Sequence, residues 1–204
     1  MTIPLRSVLW PDVPDEQWDD WRWQLSHRLT RPEELGQFLH LTPEEEAGRE
    51  AAEHSAFAIT PYLASLIDPG DPACPIRRQV IPSMAETVNT YGIPNYLIWK
   101  ENRATGEERP DSIARQYHDR IAFTVTDVCA NYCRHCFRKE LVVDRELKLR
   151  MDVDEGLAWI GKHTEVRDVL VTGGDPFILS DDKIEYILRK LREIPHLEMI
   201  RFGT

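Results

Sequence analysis

RDVLVTGGDPFILSDDKIEYILRKLREIPHLEMIRFG, residues 167–203, decides the fold. It opens on a short β-branched run that ends at Gly173-Gly174-Asp175, the pattern of a buried strand closed by a turn. From Ser180 the apolar residues Ile184, Ile187, Leu188, Leu191 and Ile194 recur at spacings of three and four. Ser180 is the predicted N-cap, acids fill the first turn, and Pro195 stops the helix. LEMIRFG (197–203) is a second strand-like run. Strand, helix, strand predicts two parallel strands joined by a right-handed crossover. Upstream, DVDEGLAWIGKH (152–163) reads as a helix with an acidic first turn, and IAFTVTD (121–127) as a further strand. The order is then β-α-β-α-β, and the fold class is α/β with a parallel sheet.

In such a sheet ligands gather at the carboxyl ends of the strands. The first predicted strand runs into CANYCRHC (129–136), the second into Gly173-Gly174-Asp175 and the third into Gly203-Thr204. These three stretches are therefore expected on one rim. Three parallel strands do not close a barrel, and the last would present an unpaired apolar edge. The chain is therefore expected to be a truncation; the alternative is a small three-strand α/β domain covered by the helical part.

Residues 1–115 read as a helical and irregular N-terminal region, and 116–204 as successive β/α units. Trp18, Trp21, Leu25 and Leu29 form the stripe of an amphipathic helix. Thr30-Arg-Pro-Glu33 and Thr42-Pro-Glu-Glu45 look like helix starts with threonine as N-cap. The proline-dense stretch 59–83 excludes long regular structure, and 103–112 is polar and turn-rich, a predicted linker.

Composition narrows the functional classes. The 204 residues carry a formal net charge of −10, the same sign as nucleic acid and anionic membrane, so neither is an expected partner. No stretch approaches a membrane span, and the N-terminus lacks the apolar core of a secretory signal. The expected location is the cytoplasm, whose reducing conditions favour cysteines as metal ligands or catalytic groups over disulfides.

Cys129, Cys133 and Cys136 leave an odd set, with Cys74 far upstream. Several readings of the spacing stay open. Tetrahedral zinc needs a fourth ligand, for which His135 or Cys74 would serve. An iron–sulfur cluster fits too, either with one iron left open or closed by Cys74 as an electron-transfer centre. Coincidental spacing completes the set. By itself Gly173-Gly174-Asp175 is a turn, Arg77-Arg78 a solvated or locally paired couple, and Cys74 a small buried residue.

Cys-x3-Cys-x2-Cys after a first barrel strand resembles the radical S-adenosylmethionine (SAM) enzymes. YHDRIAFTVTDVCANYCRHCFRKE (117–140), VTGGDPFILSDDKIEYIL (171–188) and PHLEMIRFGT (195–204) narrow the resemblance to the lysine 2,3-aminomutase family. WDDWRWQL (18–25), ITPYLASLIDP (59–69) and CPIRRQVIP (74–82) agree with it. The resemblance implies that Cys129, Cys133 and Cys136 ligate a [4Fe-4S] cluster whose open iron chelates SAM. It implies that His135 borders the adenine and that Gly173, Gly174 and Asp175 receive the SAM amino group. Arg138 would face the substrate carboxylate. Tyr117 and Arg120 would hold pyridoxal phosphate (PLP), whose lysine belongs to the family's second half. The implied activity is 2,3-migration of an amino group on a lysine-type amino acid, free or on a translation factor. A reductant such as flavodoxin or ferredoxin and a homo-oligomeric full-length protein are implied with it. The rival reading is a non-catalytic zinc- or cluster-stabilised binding or electron-transfer module in which Cys74 is the fourth ligand.

Overall fold

The computed structural model describes residues 5–51, 57–84, 108–136 and 152–204. The chain forms two compact units, Met1–Gly92 with Ala130–Lys139, and Ile93–Cys129 with Glu140–Thr204.

The second unit is built on a sheet in the order β1 (Ile113–Arg115), β2 (Arg120–Thr124), β3 (Asp168–Thr172), β4 (Met199–Phe202). The pairs β2–β3 and β3–β4 are parallel, with Phe123 opposite Val171 and Val171 opposite Phe202. Two helices, α7 (Val153–Lys162) and α8 (Asp181–Arg192), form the crossovers. Ile121, Phe123, Val169 and Val171 alternate along β2 and β3 and bury against Trp159, Ile160, Ile187 and Leu191 of these helices. The Asp152 carboxylate caps α7 by accepting the Glu155 N–H at 3.0 Å. Ser180 stands at the N-cap of α8 as expected, but its hydroxyl makes no capping bond, and only its carbonyl serves the first turn. At Gly156 an added methyl would lie 2.4 Å from the Phe123 ring, so α7 sits on β2 as closely as glycine permits.

The sheet departs from the expected three parallel strands in having a fourth, β1, antiparallel to β2. Three residues are too few to show a period. Register comes from long-range bonds such as the Thr124 N–H on the Ser112 carbonyl at 2.7 Å.

The first unit consists of short helices: α1 (Leu5–Leu9), α2 (Asp15–Trp18), α3 (Trp21–Ser26), α4 (Pro43–Ala51), α5 (Pro61–Ser65) and α6 (Pro75–Val80), with a 3-10 turn at Pro32–Gln37. Leu35, Leu39, Ile59, Ala64, Val80 and Ile81 form its core. The predicted tryptophan stripe is broken. Asp19 and Asp20 end α2 and start α3, so Trp18 is buried while Trp21 is 41% exposed. At Thr30 the expected cap is also displaced: the Glu34 carboxylate accepts both the Thr30 and Arg31 N–H at 2.9 Å, and Arg31 stands at the cap. Thr42 behaves as expected, since its hydroxyl accepts the Glu45 N–H and Glu45 accepts the Thr42 N–H. Arg77 is neither solvated nor locally paired. It is fully buried, grips both Glu45 oxygens at 2.7 Å and donates to the His40 and Pro69 carbonyls.

Candidate functional site

In the sheet unit, the β2–β3 ladder continues past the strands. The Val125 N–H reaches the Thr172 carbonyl at 2.9 Å, the Gly174 N–H reaches Thr126 at 2.7 Å, and the Asp175 N–H reaches Val128 at 2.7 Å. These contacts require glycine. A methyl on Gly173 would lie 2.4 Å from the Thr126 carbonyl oxygen, and one on Gly174 would lie 2.0 Å from that of Val128. Asp175 Oδ1 accepts the Phe177 N–H at 3.1 Å, capping a 3-10 turn, and the Thr204 hydroxyl at 2.7 Å. The Gly203 N–H bonds the Val171 carbonyl at 2.9 Å. The carboxyl ends of β2, β3 and β4 thus converge within this unit, and Cys129 follows directly on Val128. Asp175 Oδ2 takes no hydrogen bond among the described residues, which leaves an anionic oxygen for a cation.

The rest of the cysteine loop is described within the first unit. The Tyr132 N–H bonds the Ala58 carbonyl at 2.9 Å, the Arg134 N–H bonds Gln79 at 2.8 Å, and the Asn131 side-chain oxygen accepts the Thr60 N–H at 2.7 Å. A Cys136 N–H to Cys133 carbonyl bond of 3.1 Å turns the chain between the two thiols. All three loop cysteines are outside any disulfide and partly buried, and His135 is exposed. Burial first, and the neighbouring Cys136 second, push the Cys133 thiol above its ordinary value. Metal binding must therefore displace its proton. Among the described residues no three His, Cys, Asp or Glu side chains gather tightly enough for a single ion. A four-iron cluster sets a different condition, since each thiolate binds its own iron. Cys74 is free and 6% exposed, and its sulfur lies 3.4 Å from the Asp68 nitrogen.

Tyr117 and Arg120 stand together but at the other end of β2. The Arg120 guanidinium lies 5.1 Å over the Tyr117 ring, and its Nε donates to Asp119 at 3.3 Å. That bond, reinforced by Arg167, holds the Asp119 carboxyl below its ordinary value. The length of β2, roughly 15 Å at about 3.3 Å per residue, separates this pair from the rim. Arg138 lies outside the described residues.

Sequence reasoning missed Asn131 and Gln24, whose side-chain oxygens accept the Thr60 and Tyr62 N–H groups at the start of α5. The Thr60-Pro61 pair signalled a helix start needing acceptors, but their source lies 71 and 38 residues away.

Along this whole arrangement the chain aligns with proteins of known name. The L-lysine 2,3-aminomutase of Clostridium subterminale is 39% identical over 214 residues, taking in 99% of this chain and 48% of that protein. The L-lysine 2,3-aminomutase of Bacillus subtilis (strain 168) is 39% identical, over 96% of this chain and 41% of that protein. The chain is a relative of the lysine 2,3-aminomutases, a radical SAM family. The glutamate 2,3-aminomutase of Clostridioides difficile (strain 630) is 38% identical over 93% of the chain and 44% of its own length. This aminomutase relative spans about half the length of the curated proteins it matches. No family model matches the chain.

Proposed function

We propose that this chain is the SAM-binding portion of a radical SAM 2,3-aminomutase acting on an α-amino acid, in the first instance a lysine-type one. The observation that carries the reading is Cys129-x3-Cys133-x2-Cys136 leaving the end of β2, where Gly174 and Asp175 hydrogen-bond the residues just before it. The donor set suits a [4Fe-4S] cluster, being three cysteines outside any disulfide on one short, hydrogen-bonded loop. Bound there, the cluster and SAM supply a radical that starts amino-group migration, with PLP as the electron-delocalising partner. Asp175 offers Oδ2 to the SAM ammonium while Phe177 and Thr204 hold Oδ1 and fix the carboxylate's direction. His135, exposed on the loop, is assigned to the adenine, and Arg138 to the substrate carboxylate. Tyr117 and Arg120 are assigned to PLP, with Arg120 as the cation for its phosphate. The sheet is assigned to the start of a radical SAM barrel, in a cytoplasmic protein served by a small electron-transfer protein. The substrate is a free amino acid or a lysine on a protein.

Anaerobic reconstitution with iron and sulfide tests this. About four irons per chain are expected, with an electron paramagnetic resonance signal that changes on adding SAM. Cys133→Ala abolishes that signal, whereas Cys74→Ala leaves it intact. Tight zinc uptake, a cluster indifferent to SAM, or loss of the cluster in Cys74→Ala would overturn the proposal in favour of a non-catalytic module.

A further inference from the structure

The start of α5 accounts for its N–H donors one by one. Thr60, at the cap, donates to Asn131; Pro61 has no donor; Tyr62 donates to Gln24 Oε1 at 2.7 Å; Leu63 donates to the Thr60 hydroxyl at 3.3 Å. Helix starts need such acceptors, and here one of them is carried by the cysteine loop itself. Two residues further on, the main-chain bonds Tyr132 to Ala58 and Arg134 to Gln79 fall on either side of Cys133. The residues that receive the loop are themselves fixed by groups outside the cysteine loop. Ile59, between Ala58 and Thr60, is fully buried and exchanges two main-chain bonds with Leu29 at 2.9 and 3.0 Å. Gln79 lies on α6, which Arg77 ties to Glu45.

We propose that residues 58–79 are a built-in holder that sets the loop around Cys133 before any cluster arrives, with Asn131 as its positioning residue. The role in cluster retention rests on the cluster reading given above; the loop's order in the metal-free chain does not. A loop ordered by its own hydrogen bonds spares metal binding the conformational entropy of fixing it, so thiolates are presented in place and released ligands rebind. Asparagine suits the position because its amide oxygen accepts without adding charge next to thiolates that become anionic on binding. A retained acceptor, and not asparagine as such, is what α5 requires.

The test starts from metal-free wild-type chain, reduced and anaerobic, by amide hydrogen exchange. The Thr60, Tyr132 and Arg134 amides are expected to exchange at least roughly a hundredfold more slowly than unstructured peptide. In Asn131→Ala all three speed up by about tenfold, while the Phe123 and Val169 amides of the sheet keep wild-type rates. Asn131→Asp, which keeps the acceptor, restores slow exchange. After reconstitution, chelator bleaches the iron–sulfur absorbance about tenfold faster in Asn131→Ala than in wild type. Unprotected Tyr132 and Arg134 amides in metal-free wild type would overturn the holder. So would an Asn131→Ala chain that matches wild type in both exchange and bleaching. If Asn131→Ala does not fold, the wild-type exchange rates and Asn131→Asp decide. A wild-type chain that takes up no cluster removes the proposed function, and the exchange measurements then judge the holder alone.

Discussion

Gly174 shows how a single hydrogen atom in place of a side chain shapes the rim. The nearest neighbour to a methyl there is the chain's own Val128 carbonyl oxygen, 2.0 Å from where it would sit. Gly174→Ala should therefore cost about 3 kcal/mol in denaturant unfolding of the sheet unit, because a backbone oxygen cannot swing aside. Asp175 divides its two oxygens between structure and ligand. Asp175→Asn keeps an acceptor for the Phe177 N–H, so thermal stability should stay near wild type while SAM binding weakens at least roughly tenfold by titration calorimetry. Asp175→Ala loses the cap as well, and about 1 kcal/mol of stability. That these residues form a turn at a strand end was readable from Thr172-Gly173-Gly174-Asp175. Which atoms crowd them was not, since that depends on a register set 46 residues upstream, at Val128.

Among the elements, α4 and α6 are joined by the Glu45–Arg77 pair, with side chains 13% and 0% exposed. Burial raises the Glu45 carboxyl, but the Arg77 hydrogen bonds and the Thr42 N–H outweigh it and hold the group below its ordinary value of 4.5. A depressed folded-state value means that the carboxylate contributes stability at neutral pH. That contribution is complete above about pH 4.5 and is lost as pH falls through the lower folded value. Acid unfolding of the first unit should therefore be blunted in Glu45→Gln, at the expense of stability at pH 7. Arg77→Met strands a buried carboxylate and should cost about 3–5 kcal/mol by chemical denaturation; Arg77→Met with Glu45→Met should recover most of that. The partners are 32 residues apart, which is why Arg77 looked like half of a solvated pair in the sequence. By contrast the body of α8 was legible, because Ile184, Ile187, Leu188 and Leu191 repeat a local period, and Ile187 and Leu191 are buried as expected. The Trp18-to-Leu29 stripe misled for the same reason: the spacing persists through Asp19-Asp20, but the caps they provide start a second helix.

Across the whole molecule, two things were readable from pattern alone: the α/β alternation of 120–204 and the convergence of three strand ends. What pattern could not supply was the first unit's internal wiring, where Asn131 reaches Thr60 and Gln24 reaches Tyr62 over long sequence separations. No helix among the described residues is long and apolar enough to cross a membrane. At a net charge of −10 the chain should pass through a heparin column unretained near 0.15 M salt; retention there would contradict the exclusion of nucleic-acid partners. Finally, β1 gives the sheet a direction. One flank of β2 is taken by a three-residue strand running the opposite way, while β4 pairs on one side only among the described residues. A further strand running the same way as β2, β3 and β4 would find a parallel neighbour at β4 and an antiparallel one at β1. A ring returning to its origin would have to seal against the short antiparallel seam of β1 or prise it off.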